Sequence, residues 1–99
     1  MLRRIIWHEA AWEQLSNAYV HIKKNSPQNA EKVKDGILKK VDQLAFNPEM
    51  HPPDKYKRKN NSSQYRAFII YHFRISYYVK SDEIIIVRMR HTSMSPLAY

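Results

Sequence analysis

The sequence lacks several features that mark common functional classes. It has no cysteine, which excludes disulfide frameworks and thiolate metal sites. Its single glycine excludes the glycine-rich loops that bind mononucleotides or dinucleotides. It contains no apolar run of about 18 residues, the length that a membrane span needs, and Met1 to Trp7 has no apolar run of signal-peptide length. We therefore expect a cytoplasmic protein that has no cofactor and does not contact a membrane.

Acidic residues are also scarce relative to basic ones. The chain has 99 residues, with 17 Lys and Arg against 9 Asp and Glu, and a net charge of +8. This length predicts one domain over residues 1–99, large enough to fold around its own core. An excess of positive charge on a small domain favours a polyanionic partner, which could be nucleic acid, a ribosome or an acidic protein.

Hydrophobic periodicity predicts a short strand followed by a helix hairpin. Leu2 to Trp7 is an apolar run typical of a strand, and His8 to Lys24 carries an apolar stripe typical of an amphipathic helix. A second helix should begin at Pro27, behind the capping residue Ser26, and run to about Phe46. Because the link between them is short, we expect the helices to pack antiparallel.

Glycine occurs only inside the second predicted helix, at Gly36. Glycine in a helix interior costs about 1 kcal/mol relative to alanine. Gly36 should therefore destabilise the helix by this amount unless close packing against the first helix uses the missing side chain.

The segment of residues 47–63 predicts a loop, because it contains three of the five prolines and has no apolar periodicity. Four basic residues lie close together in it: Lys55, Lys57, Arg58 and Lys59. A loop of this length in a compact domain is either functional or partly disordered. The cluster could hold a nucleic-acid backbone without reading its sequence, or it could simply be solvated.

Three runs of β-branched and aromatic residues follow, at about Tyr65 to Tyr71, Arg74 to Lys80 and Glu83 to Arg90. They predict an antiparallel meander with turns at His72-Phe73 and Ser81-Asp82. Together with the upstream elements, this gives an α+β fold of order β-α-α-β-β-β. Strict alternation places one set of side chains in the core, against the helix hairpin: Ile75, Tyr77, Val79, Ile85, Val87 and Met89.

The opposite face of this sheet should be cationic. Alternation places Arg88 and Arg90 there, and Arg66 is a candidate to join them from the first strand of the meander. Such a face could bind a phosphate backbone.

His91 follows directly, and a histidine can move a proton near neutral pH. Together with the arginines it could support metal-independent attack of a ribose 2′-hydroxyl on the neighbouring phosphate.

Two observations limit this interpretation. His91 could equally be a structural residue at a strand end. Strict alternation also turns it toward the face of Met89, away from Arg88 and Arg90, so a shared site requires the strand to end or twist first. No pair among the five histidines has the helical spacing of metal ligands, so we expect no metal site.

The order of elements and three motifs together resemble the RelE/ParE superfamily of bacterial type II toxin–antitoxin toxins, formerly described as plasmid-stabilisation proteins. The motifs are Tyr65-Arg66, the run RISYYV from Arg74 to Val79, and the run IIIVRMRH from Ile84 to His91. The resemblance covers the whole chain and implies a cognate antitoxin encoded beside the toxin. RelE-like members cut mRNA on the ribosome, whereas ParE-like members inhibit DNA gyrase and are not nucleases.

Carried over from the RNA-cutting members, the resemblance implies that Arg66 contacts the scissile phosphate and that His91 transfers the proton. The RNA-binding residues would be the basic cluster of the loop with the two sheet arginines: Lys55, Lys57, Arg58, Lys59, Arg88 and Arg90. The sequence departs from these members, since it has no matching glutamate base and Thr92 to Pro96 follows where a tyrosine or second histidine is expected. Our first hypothesis is a ribosome-dependent mRNA interferase, and the alternative is a non-nucleolytic gyrase inhibitor.

Overall fold

The structure is a computed structural model that describes residues 2–95 and 97–99; Met1 and Pro96 lie outside the described residues. Its elements in chain order are β1 (Arg4–Trp7), α1 (Glu9–Lys23), α2 (Pro27–Asp42), a 3₁₀ turn (Gln43–Ala45), β2 (Tyr65–Ile70), β3 (Phe73–Val79) and β4 (Glu83–His91). The predicted α+β order is confirmed. No helix within residues 2–95 and 97–99 combines the length and the apolar character that crossing a membrane requires.

The four strands form one sheet in the order β1-β4-β3-β2. The meander of β2, β3 and β4 is antiparallel, whereas β1 pairs in parallel with β4. Both helices cover the same face of this sheet, and their buried residues form one core with those of the strands. The predicted helix hairpin on one face of a mainly antiparallel sheet is therefore confirmed.

The helix hairpin begins and ends close to where the sequence predicts. Ser26 Oγ accepts a hydrogen bond from the Asn29 amide at 3.2 Å, and Pro27 occupies the first turn of α2. α2 ends at Asp42 rather than near Phe46, because the chain tightens into the 3₁₀ turn. Leu44 in that turn is fully buried, so the apolar pattern continues although the α-helix does not.

The core of the sheet differs from the prediction at two positions of β4. Ile75, Tyr77 and Met89 are buried as expected, and the partly buried Val79 packs against them. Ile85 and Val87 were wrongly assigned to the core; the fully buried residues of β4 are instead Ile84 and Ile86.

A β-bulge causes this difference. On β3, Ser76 pairs with Arg88 and the next residue, Tyr77, pairs with Ile86, so Val87 is an extra residue in β4. One extra residue reverses the inside–outside alternation for everything before it in the strand. Residues after the bulge keep the predicted faces.

The hairpin turn between β2 and β3 lies at Tyr71-His72, one residue earlier than predicted. Both residues have positive φ, 50° and 67°, a conformation that normally favours asparagine or glycine. The ring of Tyr71 lies over Gly36, where an added Cβ would come within 2.5 Å of it. The missing side chain of Gly36 therefore makes room for the Tyr71 ring of this turn, and not for close packing against α1.

Candidate functional site

The sheet face that points away from the helices carries the basic side chains. In the strand register Arg74 pairs with Arg90 and Ser76 pairs with Arg88, and directly paired residues project on the same side of a sheet. Arg88 and Arg90 therefore share the face opposite Met89, as predicted. We call this surface, formed by Arg74, Ser76, Arg88 and Arg90, the cationic face.

Arg66 does not lie on the cationic face. It pairs with Tyr77, whose buried ring lies on the helix side, so Arg66 projects on that side as well. Its guanidinium donates a hydrogen bond from Nη1 to the carbonyl oxygen of His51 at 2.7 Å. The prediction that Arg66 joins Arg88 and Arg90 is wrong, because the pairing with β3 sets which residues of β2 face outward.

His91 also projects toward the helices. Strand β4 continues regularly through it, opposite Phe73, whose ring meets the imidazole edge-on with 5.1 Å between centroids. Nδ1 of His91 lies 2.6 Å from Ser93 Oγ and accepts a hydrogen bond from the Ser93 amide at 3.1 Å. The imidazole borders an open cavity of about 720 Å³ between the helix hairpin and the β2–β3 turn.

Arg66 and His91 are not brought together by the fold. Their pairing partners on β3 are Tyr77 and Phe73, four residues apart, which is about 13 Å along a strand. No irregularity of β4 turns His91 back, because the bulge lies before Met89. The two proposed catalytic residues therefore lie at opposite ends of the meander.

A buried carboxylate organises the cationic face. Asp54, which is 2% exposed, accepts hydrogen bonds from Arg74 Nη2 at 3.0 Å, the Tyr99 hydroxyl at 2.6 Å and the Tyr56 amide at 3.0 Å. We call Asp54, Arg74 and Tyr99 the Asp54 clasp. Burial alone would raise the pKa of Asp54, but these hydrogen bonds outweigh it and lower the pKa below its ordinary value. Burial and the neighbouring carboxylate raise the pKa of Tyr99.

The C-terminal residues lie over part of the cationic face. The Arg88 guanidinium stacks on the Tyr99 ring at 4.6 Å and donates to the carbonyl oxygen of Leu97, while Arg90 Nε donates to that of Ser95. The two sheet arginines proposed to bind RNA are therefore hydrogen-bonded within the chain.

The basic loop is partly held against the same residues. Lys57 Nζ lies 4.8 Å from the ring centroid of Tyr65 and 5.1 Å from that of Tyr99. Lys55, Arg58 and Lys59 are exposed, although Lys55 Nζ rests 5.3 Å from the Tyr56 ring centroid. Three of the four loop cations thus remain available to a partner.

Sequence reasoning missed two residues that build this surface, Asp54 and Arg74. The one available signal was a single aspartate, Asp54, just before the run of basic residues. No sequence pattern indicates where Tyr99 lies, and the structure packs it on the sheet against Asp54 and Arg88.

Comparison with known proteins identifies the family. Residues 5–96 match the family model described as the ParE toxin of a type II toxin–antitoxin system, parDE. The chain belongs to the ParE toxin family. It is therefore the toxin component of a type II toxin–antitoxin system, and ParE membership implies a cognate antitoxin partner. No curated protein matches the sequence.

Comparison with solved structures supports the fold. A chain of the chromosomal ParDE toxin–antitoxin system from P. aeruginosa superimposes with a TM-score of 0.73 at 22% identity, covering 91% of this chain and 96% of that one. A conserved hypothetical protein from Helicobacter pylori matches with a TM-score of 0.40 at 20% identity, covering 94% of this chain and 97% of its own. The first match supports the fold, whereas the TM-score of the second is too low to support a shared fold.

Proposed function

We propose that this ParE-family toxin acts by binding DNA gyrase and not by cutting RNA. The observation that carries the proposal is the separation of Arg66 from His91, about 13 Å along the strand direction. A general acid or base must approach the proton that it transfers to within about 3 Å. A phosphate held by Arg66 is therefore out of reach of His91, and gyrase inhibition requires no such catalytic pair.

The available charges suit a binding function. Lys55, Arg58 and Lys59 are exposed and lie on one loop, and the chain has a net charge of +8. Positive charge on one surface accelerates association with a polyanionic partner, such as an enzyme that holds DNA. Arg88 and Arg90 contribute less to this surface, since their guanidinium groups already bond to Leu97 and Ser95.

Ribosome-dependent mRNA cleavage is the second candidate. It is favoured by the same exposed loop cations, which could hold mRNA or ribosomal RNA, with His91 as the proton-transfer group. In that case Arg66 would have no part in the cleavage site, and Arg90, which directly precedes His91 in β4 and lines a cavity with it, is the nearer candidate to hold the phosphate.

Two assays with purified toxin separate these functions. In the first, gyrase supercoils relaxed plasmid while toxin is titrated; we expect supercoiling to stop. In the second, translating ribosomes receive the same doses and mRNA 5′ ends are mapped; we expect full-length message. New 5′ ends together with unaffected supercoiling would replace the gyrase proposal with the second candidate.

Single substitutions sharpen the distinction. His91→Ala should leave gyrase inhibition within about twofold, the range of a change away from the binding surface, whereas it should abolish cleavage if His91 transfers a proton. A charge-removing change of exposed Arg58 and Lys59 to glutamine should weaken inhibition and make it less dependent on salt. The exposed pair Lys23 and Lys24, changed in the same way, is the control for net charge.

A further inference from the structure

A second cavity, of about 320 Å³, opens at the outer edge of strand β2. Its basic lining residues are Lys40 from α2, His51 from the loop and Arg74 from β3, and no acidic side chain lines it among the described residues. Nothing in the proposed gyrase contact uses this cavity. Three nitrogen-bearing side chains that line one cavity without an acidic side chain favour an anionic ligand.

Two of these groups carry buried nitrogen atoms without a partner. Among the described residues, the buried side-chain nitrogen and oxygen atoms that lack a hydrogen bond are His51 Nε2 and Arg74 Nε. The Nη2 of the same guanidinium is bound to Asp54, so Arg74 is fixed in place while Nε remains unused. A buried donor without an acceptor costs about 1–3 kcal/mol, and a bound oxyanion would remove that cost.

Lys40 supplies the positive charge at the rim. Its amino group lies 5.7 Å from the ring centroid of Phe68, and none of the ion pairs among the described residues includes it. The amino group is therefore free to bind an anion in the cavity.

His51 is held in a fixed position. Its ring stacks on Phe68 with 4.7 Å between centroids, and its carbonyl oxygen accepts the hydrogen bond from Arg66. Burial and the charge of Lys40 lower the pKa of His51. The ring is thus neutral at pH 7 and can donate one N–H to an acceptor.

The edge of β2 beside the cavity offers a backbone donor as well. Residues 52–54 pair with the first half of this edge, through bonds from the Ala67 amide to the Pro52 carbonyl and from the Asp54 amide to the Tyr65 carbonyl. Because Gln64 bonds across to Val79, the amides of alternate residues from Tyr65 onward point outward. After Tyr65 and Ala67, the next outward-pointing amide is that of Ile69, whose side chain is 58% exposed.

We propose that this cavity binds the carboxylate of an aspartate or glutamate on an extended segment of a partner protein, which pairs with the outer edge of β2 at Ile69. Lys40, His51 and Arg74 bind the carboxylate, and the Ile69 amide donates to the backbone of the segment. A protein segment fits better than a nucleic acid, because four of the seven lining residues are apolar: Pro52, Ala67, Phe68 and Ile69. A free strand edge also pairs with peptide backbone.

The test uses the full chain and three probes in calorimetric titrations: a blocked five-residue peptide of alternating valine and threonine with a central glutamate, the same peptide with glutamine, and inorganic phosphate. We expect the glutamate peptide to bind at least about tenfold more tightly than the glutamine peptide, the effect of losing a charged hydrogen bond. Equal binding of both peptides would overturn the carboxylate site. Phosphate binding without peptide binding would replace the protein segment by a phosphate ligand.

Two controls assign the binding to this cavity. Lys40→Met should weaken binding of the glutamate peptide by about tenfold. Lys39 is an exposed neighbour outside the cavity, and Lys39→Met should leave this binding unchanged. Equal weakening by both changes would mean that the peptide binds through net charge alone. Hydrogen exchange of the Ile69 amide should slow when the peptide binds. Exchange of the Ile70 amide, which points into the sheet, should not change. An unchanged rate at Ile69 would refute the edge pairing.

Discussion

Gly36→Ala should change the stability of this protein in a direction that depends on Tyr71. An ideal Cβ at position 36 would lie 2.5 Å from Tyr71 Cε2 and 2.8 Å from its hydroxyl oxygen. Neither distance is compatible with van der Waals contact, so the ring must leave the surface of α2. Alanine in a helix interior, however, is better than glycine by about 1 kcal/mol. The two effects oppose one another.

The magnitude follows from the area that the ring covers. Tyr71 is 40% exposed, and a buried tyrosine covers about 200 Å², so roughly 120 Å² is at stake, or about 3 kcal/mol at 25 cal/mol/Å². A displaced ring keeps part of its contacts, which leaves a loss of about 2 kcal/mol. Gly36→Ala should therefore destabilise the wild type by about 1 kcal/mol and stabilise the Tyr71→Asn variant by about 1 kcal/mol.

Urea unfolding of the four proteins, followed by far-ultraviolet circular dichroism, measures this coupling as a double-mutant cycle. Asparagine is the right replacement for Tyr71 because it tolerates the positive φ of the turn. A coupling of about 2 kcal/mol is expected. If Gly36→Ala stabilises both backgrounds equally, the ring does not depend on the missing Cβ, and the reasoning fails.

Two further predictions concern buried polar groups. Tyr77→Phe removes the 2.7 Å hydrogen bond from a buried hydroxyl to the Pro48 carbonyl and should lower the free energy of unfolding in urea by about 1–2 kcal/mol. Tyr78→Phe removes an exposed hydrogen bond to Gln64 and should lower it by less than about 0.5 kcal/mol. Equal losses in the two variants would contradict the assignment of a buried bond to Tyr77. Because the folded state lowers the pKa of Asp54, its stabilisation is complete above the ordinary pKa of about 3.9 and is lost as pH falls through the lowered value. Unfolding free energies measured from pH 6 to pH 2.5 should therefore fall less steeply for Asp54→Asn than for wild type, while exposed Asp42→Asn follows the wild type.

The order of elements could be predicted because each depends on local patterns. The apolar stripes predicted both helices, and Ser26 with Pro27 predicted the start of α2 correctly. The β-bulge could not be predicted, since it lies in the run Ile84 to Val87, where every residue is equally suited to the core. Which residue is extra is decided by pairing with β3.

The candidate site depended on the same long-range pairing. Arg66 faces the helices because of its register with Tyr77, and a shift of one residue would have turned it outward. Asp54 and Tyr99 are 45 positions apart, and nothing local to either predicts their contact. Cationic residues could thus be found from the sequence, but their grouping could not.

The Asp54 clasp also changes how the long loop behaves toward a partner. Without it, residues 47–63 would form one long loop whose lysines sample many positions. A partner would then have to restrict their motion when it binds. Anchoring the loop at Asp54 divides it into two short arcs, and the bond from the Arg58 amide to the Tyr99 carbonyl restrains the second arc further. The conformational entropy of the basic cluster is thus lost during folding, before any partner arrives. A partner therefore meets a preformed cationic surface, and we expect this surface to loosen when the clasp is broken.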